Sequence, residues 1–302
     1  MTRSLDEVLD SPAPAGVRFI ALEYLDDWRA TLPRLNDADD TEALHDYRVA
    51  LRKLRSWLKT FDEGGDKAQK QLSGLNESTG EARDLEVFEQ WLEKDESPAA
   101  VYAREQVKDH GEVDVARVEA KTLKVAEKLA ERLSRYTLEV PLGAGAPVVP
   151  FSWAYASALR KLHNDLTEAA LAASSIEDAE LLHKVRIRAK RLRYALAPIK
   201  DWPEVGEALK LLKERQDLLG ELHDRHAFVG VLAGIVRRHP PPDIAAGLEG
   251  LVARAHEEGH ALYQQYAQHR HANDVRLAAL IDVVTERLGK RMGLHVEVVP
   301  QG

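Results

Sequence analysis

The 302-residue chain has no cysteine, which excludes disulfides and any metal site built on thiolates. Aromatic residues make up only 6% of it, a poor supply of stacking platforms for single-stranded nucleic acid. No run approaches the roughly 18 apolar residues of a membrane span. The opening MTRSLDEVLD has no apolar core of signal-peptide type. Residence in the cytoplasm, with no membrane partner, is the resulting expectation. No stretch of any length alternates apolar and polar residues, so strands are not expected either. The chain contains neither a G-x-x-x-x-G-K-[ST] loop nor an E-x-E-x-E cluster, which removes two common ways of holding nucleotide or Mg²⁺ for phosphoanhydride cleavage. A formal charge of −8 is wrong for a general nucleic-acid coat.

One shortage is local. Asp46 is the only acid between residues 44 and 60, and residues 181 to 200 contain none. These two stretches are versions of one another. Leu44-His45-Asp46-Tyr47-Arg48-Val49-Ala50-Leu51-Arg52-Lys53-Leu54-Arg55 and Leu182-His183-Lys184-Val185-Arg186-Ile187-Arg188-Ala189-Lys190-Arg191-Leu192-Arg193 share the pattern L-H-x-x-R-x-x-x-[RK]-[KR]-L-R. Neither holds a helix breaker. At about 100° per residue, His45, Arg48, Arg52, Arg55 and Lys59 fall in a stripe roughly 80° wide, and His183, Arg186, Lys190 and Arg193 repeat it. Leu44, Tyr47, Leu51, Leu54 and Leu58 occupy the neighbouring face, matched by Leu182, Val185, Ala189, Leu192 and Leu196. Each helix therefore presents one edge to a core and one cationic edge. Like charges at i, i+3 and i+4 repel by a few tenths of a kcal/mol per pair, so negative charge from outside the helix is required. Acidic neighbours of a solvated face would meet that need in a single helix; two matching copies favour a ligand.

The rest of the chain reads as helices in order. Residues 1–16 form a loosely held N-terminus with a loop at Ser11 to Gly16. A helix from Phe19 to Leu32 stops at Pro33. Thr41 is placed to cap the first basic helix, which runs to Phe61 and breaks at Gly64-Gly65. A shorter helix through Leu72 and Leu75 leads to Gly80, and another from Glu81 reaches Leu92. After Ser97-Pro98 a charged helical pattern extends to Tyr136, interrupted near Gly111. Residues 137–150 are a linker. Then the order repeats: a helix through Trp153 to Leu166, the basic helix ending near Trp202-Pro203, and leucines leading to Gly220. Gly80, Glu81, Arg83, Asp84 and Phe88 match Gly220, Glu221, His223, Asp224 and Phe228, each pair 140 residues apart, while His45 and His183 are 138 apart. Two helices close the chain, one ending near Arg270 and one from Asn273 to Arg291, followed by a tail at 292–302. The expected architecture is all-α, with halves 17–136 and 151–291 arising from an internal duplication.

The paired basic helices, each followed by a G-E-x-[RH]-D segment, resemble the CHAD family (conserved histidine α-helical domain) from about Val17 to Arg291. The resemblance implies two four-helix bundles related by pseudo-twofold symmetry around a central basic cavity, non-catalytic binding of inorganic polyphosphate, and association with polyphosphate granules. It implicates His45, Arg48, Arg52, Arg55 and Arg83 in the first half and His183, Arg186, Lys190, Arg193 and His223 in the second. His223 stands where the first half has Arg83, and Lys184 where it has Asp46, so the halves need not bind equally. Lys59 extends the stripe, while Lys53, Arg188 and Arg191 fall off it as rim or surface charges. Arginine suits a polyphosphate because its planar fork meets phosphate oxygens in pairs.

The histidines admit two readings: His45 and His183 either donate to phosphate when protonated or stay neutral at the core edge. Asp84 and Asp224 are expected to cap helices or orient an arginine. His223, Asp224 and His226 can be drawn together, but no carboxylate pair supports a metal there. His256, His260, His269 and His271 are expected on the surface. No cofactor or metal is called for. The competing functions are a phosphoanhydride-cleaving enzyme and a scaffold whose cavity takes an acidic protein segment or nucleic acid.

Overall fold

Apolar residues recurring at helical spacing, with no alternating stretch between them, leave a chain that can bury itself only as packed helices. The computed structural model, which describes residues 4–37, 39–61, 65–108, 113–136 and 149–291, is all-α. The helices are α1 (Leu5–Asp10), α2 (Ala13–Ala30), α3 (Ala43–Thr60), α4 (Gly65–Ser78), α5 (Gly80–Leu92) and α6 (Pro98–Val107), then α7 (Val115–Tyr136), α8 (Phe151–Ala172), α9 (Ala179–Leu196), α10 (Pro203–Val236) and α11 (Pro242–Lys290). Short 3₁₀ turns at Leu32–Asn36 and Ala197–Ile199 follow α2 and α9. Among the described residues no helix is long and apolar enough to cross a membrane.

The basic helices are α3 and α9, and their apolar faces anchor them. Tyr47, Leu51, Leu54 and Leu58 are buried on α3, and Leu182, Val185, Ala189, Leu192 and Leu196 on α9. Full burial of one such aliphatic side chain is worth about 1.5–3 kcal/mol, so neither helix can rotate its cations inward. Side-chain hydrogen bonds fix the register. Trp57 Nε1 donates to the Val17 carbonyl at 2.9 Å, and the Tyr47 hydroxyl shares a proton with Thr122 at 2.7 Å. Tyr155 on α8 reaches the Ala195 carbonyl of α9. α3 is backed by α2 and α9 by α8, and α3 packs directly on α9. The large core draws on both halves of the sequence; a second core joins Phe88 and Leu92 of α5 and the alanines of α6 to Phe228, Leu232, Leu248 and Leu251 of α10 and α11.

Several local expectations change. Ser4 closes a capping box with Glu7, Val8 and Leu9 are buried, and Ser11 to Gly16 leads straight into α2, so residues 5–16 are held rather than loose. The segment is pinned by residues far along the chain: Ala13 N–H donates to the Val149 carbonyl at 2.9 Å and Phe151 N–H to the Ser11 carbonyl at 2.8 Å. Gly16 has no room for even a methyl group, since a Cβ there would lie 2.4 Å from the Phe151 ring. Thr41 does not cap α3. Glu42 holds that position without a side-chain bond, while Asp40, tied to Arg34, takes the Glu42 N–H. Gly220 does not end a helix, because α10 runs through it for 34 residues. The two expected C-terminal helices are one of 49 residues, with Tyr266 and Leu277 buried on either side of the anticipated break. The expected interruption at Gly111, most of the linker (137–148) and the tail (292–302) lie outside the described residues.

Candidate functional site

Arg48 is the most buried cation of the α3 stripe, 7% exposed. Its Nη1 donates to the Asn76 carbonyl and the Thr79 hydroxyl, both at 2.8 Å. Burial, then the charge of Arg52, pulls its pKa down to about 10, so it stays protonated at neutral pH. Its counterpart Arg186 is half-buried, and burial lowers its pKa too. Each arginine lies against the glycine of its own half's second motif. A Cβ on Gly80 would sit 3.7 Å from Arg48 Nη1, and one on Gly220 would sit 3.6 Å from Arg186 Nε. A methyl group at Gly220 would make only ordinary contact there, so the arginine does not account for a glycine in a helix interior, where it costs roughly 0.5–1 kcal/mol relative to alanine.

The two stripes face one another. Arg52 of α3 lowers the pKa of both Arg186 and Lys190 on α9, and Arg55 does the same to Arg191. Lys190 is displaced furthest, from 10.5 to about 7, by burial first and then by Arg186 and Arg52. His183 and His223 lie against one another, ring centroids 4.7 Å apart and planes tilted by 39°. Burial and then Arg186 lower both, His223 to about 4. Both imidazoles are thus disposed to be neutral at neutral pH, with a capacity to gain charge beside an anion.

Ion pairing separates this region from the rest of the molecule. Arg34 binds Asp40 and Asp46, Arg215 binds Asp274, Arg225 binds Glu258, Arg254 binds Asp95, and Arg291 binds Asp6 and Asp10. Among the described residues Arg52, Arg55, Lys59, Arg186, Lys190 and Arg193 have no such partner at contact distance. Arg52 Nε, Arg186 Nε and His183 Nδ1 are buried and bond to nothing in the protein. A buried polar group left unmatched costs about 1–3 kcal/mol, and three of them converge on one helix pair.

The other predicted residues divide. Arg83 pairs with Glu86 one turn on, within electrostatic reach of Arg48. Arg193 lies over the Tyr194 ring, and its charge is felt by Lys190. His45 is half-buried and Lys59 exposed. Of the three off-stripe residues, Arg188 turns away to Asp165 on α8 and Lys53 stands 5.7 Å over the Tyr24 ring of α2, so neither joins the cluster. Arg191 senses both Asp165 and Arg55. His256, His260, His269 and His271 are exposed.

Asp84 and Asp224 are not caps. Thr79 holds the N-cap of α5, Asp84 lies a turn inside, and Asp224 is in the middle of α10. Both belong to the cationic region. Burial raises the pKa of each; against it, Asp84 feels Arg48, Arg186, Arg52 and Lys190, and Asp224 feels chiefly Arg186. Asp84 is nonetheless open to solvent. The equal place of Asp84 and Asp224 in the repeated motif was the sequence signal; nothing local told which way they face. The arrangement sets cations with spare N–H donors on two facing helices beside two carboxylates of raised pKa, chemistry suited to a flexible polyanion.

A family model described as the CHAD domain matches residues 20–233. Among solved structures the chain is similar to the CHAD domain from the plant Ricinus communis, with 22% identity and a TM-score of 0.68 over 90% of this chain and 92% of that one. It is also similar to PptA from Streptomyces chartreusis, with 18% identity and a TM-score of 0.60 over 85% of this chain and 99% of that one. At such identities the likeness speaks for the fold. No curated protein sequence matches significantly.

Proposed function

Since the chain belongs to the CHAD domain family, we propose that it binds inorganic polyphosphate, without cleaving it, along the groove between α3 and α9. The observation that carries this reading is the set of unpaired cations with buried, unbonded N–H groups on two facing helices. Each internal phosphate of such a chain offers one charge and two free oxygens, and no base edge has to be read. Arg52, Arg186 and Lys190 form the centre, Arg48 a buried positive floor, and Arg55, Lys59 and Arg193 the extensions. The central groove and the origin of the two halves in an internal duplication are parts of the same proposal, as are cytoplasmic residence and association with polyphosphate granules. Affinity gained by counterion release falls steeply with salt.

Cleavage is the weaker reading on physical grounds. Asp84 and Asp224 are the carboxylates within reach of the groove, and Arg48, Arg52, Arg186 and Lys190 crowd them, an environment that repels Mg²⁺. Calorimetric titration with medium-chain polyphosphate at two salt concentrations, beside single-stranded DNA, tests the proposal. Tight, salt-sensitive binding of polyphosphate alone is expected, with no phosphate released in the presence of Mg²⁺. The variant with Arg52, Arg186 and Lys190 changed to alanine keeps Arg48 and its ties to α4, so it should fold and lose binding. Unchanged affinity in that variant, or equal displacement by DNA at matched phosphate concentration, overturns the reading.

A further inference from the structure

Arg55 and Lys59 belong to the α3 stripe, and both also line a separate cleft of about 380 Å³ between α3 and α4. From α4 come Asp66, Gln69 and Lys70. Among the described residues three cations thus face one carboxylate. Gln69 Nε2 is buried and has no hydrogen-bond partner. Arg132 of α7 adds a fourth positive charge at the edge: its Nη1 is 2.8 Å from where a Cβ on Gly65 would be, and Gly65 has φ of 68°. Glycine is needed there twice over, for the backbone and for the approach of the guanidinium.

The position of the cleft matters. From His45 to Lys59 the stripe is about 21 Å long at 1.5 Å per residue, and the cleft lies at its C-terminal end. The last turn of α3 and the first turn of α4, at Gly65 and Asp66, both border it, so the partial charges of the two helix ends oppose one another and the side-chain cations decide what binds. An internal phosphate carries one charge, whereas a terminal phosphate titrates a second proton near neutrality, as phosphomonoesters do. We propose that the cleft between α3 and α4 is a subsite for the terminal phosphate of a polyphosphate chain whose body lies along the α3–α9 groove. This inference rests on the polyphosphate reading and adds to it a recognition of chain ends.

Two probes separate ends from length: tripolyphosphate, in which two of three phosphates are terminal, and a long chain in which ends are negligible. Lys70→Ala and Gln69→Ala, alone and together, leave the stripe intact, and circular dichroism checks their fold. The double variant should lose about tenfold in affinity for tripolyphosphate while its affinity per phosphate for the long chain stays within about twofold. Equal loss for both probes, or loss for neither, overturns the subsite while leaving the groove reading in place. Failure of the unaltered protein to bind the long chain would sink the groove reading itself. Orthophosphate provides a third arm. If it displaces tripolyphosphate at equal concentration, the cleft holds free phosphate rather than a chain end, and the inference fails.

Discussion

On the proposed reading, Lys190 makes polyphosphate binding a proton-uptake reaction. Its pKa is about 7, set by burial and by Arg186 and Arg52. A polyanion laid beside it supplies the missing counter-charge and returns it to or above its ordinary value. The sign follows from linkage: the complex holds more protons than the free protein, so affinity is greatest at low pH and declines as pH rises above 7. Below 7 Lys190 is charged in both states and contributes no slope. Taking only the protonated form as competent, its fraction drops from one half at pH 7 to about one hundredth at pH 9, so affinity falls by about 50-fold. His223, at about 4, and His183, also lowered, add uptake of the same sign on the acid side. Long-chain polyphosphate keeps the internal charges of the ligand constant over this range. Titration calorimetry in two buffers of different ionisation enthalpy counts the protons directly; near one per site at pH 8 is expected. Lys190→Arg remains charged at pH 9 and should lose most of the dependence. A flat affinity between pH 7 and 9, or an undiminished slope in Lys190→Arg, would refute the reasoning.

Three further outcomes follow from the same geometry. The logarithm of affinity should decline linearly with the logarithm of salt concentration, and Arg52→Ala should reduce that slope by about one, as read by titrations at four ionic strengths. Gly220→Ala places a methyl group 3.6 Å from Arg186 Nε, an ordinary contact, and should raise thermal stability by roughly 0.5–1 kcal/mol without loss of binding. Gly220→Leu should instead displace Arg186 and weaken polyphosphate, so equal binding by both variants would contradict the packing described. Asp84→Asn with Asp224→Asn removes the two charges that compete with the ligand, and affinity should rise by about fivefold or more, the low end of the ~1–3 kcal/mol scale of a charged contact; a decrease would mean that these carboxylates position the arginines instead.

The sequence disclosed those features that depend on period and local composition. The all-α fold follows from spacing alone, and so do the cationic edges of α3 and α9, because a helix converts i, i+3 and i+4 into a face whatever it packs against. What depends on distant partners stayed hidden. Residues 5–16 read as loose because the groups that pin them, Val149 and Phe151, lie far along the chain. That Gly220 lies beside the Arg186 guanidinium, inside a continuous α10, depends on another helix. Asp84 and Asp224 were visible as a matched pair, yet their orientation toward Arg48 and Arg186 was not. Gln69 and Lys70 resembled any solvated helix face until α3 was set beside them.

A protein of net charge −8 that binds a polyanion must do so at short range. Beyond a Debye length of about 8 Å at physiological ionic strength its field is screened, and what remains does not draw anions in. Attraction begins only where a phosphate meets the cations of α3 and α9, since several arginines elsewhere, Arg34, Arg215, Arg225, Arg254 and Arg291, are paired with Asp or Glu. This favours ligands slender and flexible enough to bring successive phosphates into a half-buried furrow. Duplex DNA, with a persistence length of about 150 bp, presents its phosphates on the outside of a stiff cylinder and reaches only the rim. The acidic exterior and the carboxylates within the groove thus act in the same direction, lowering the affinity of every anion and leaving a net gain only for one that meets several of Arg52, Arg55, Arg186, Lys190 and Arg193 at once.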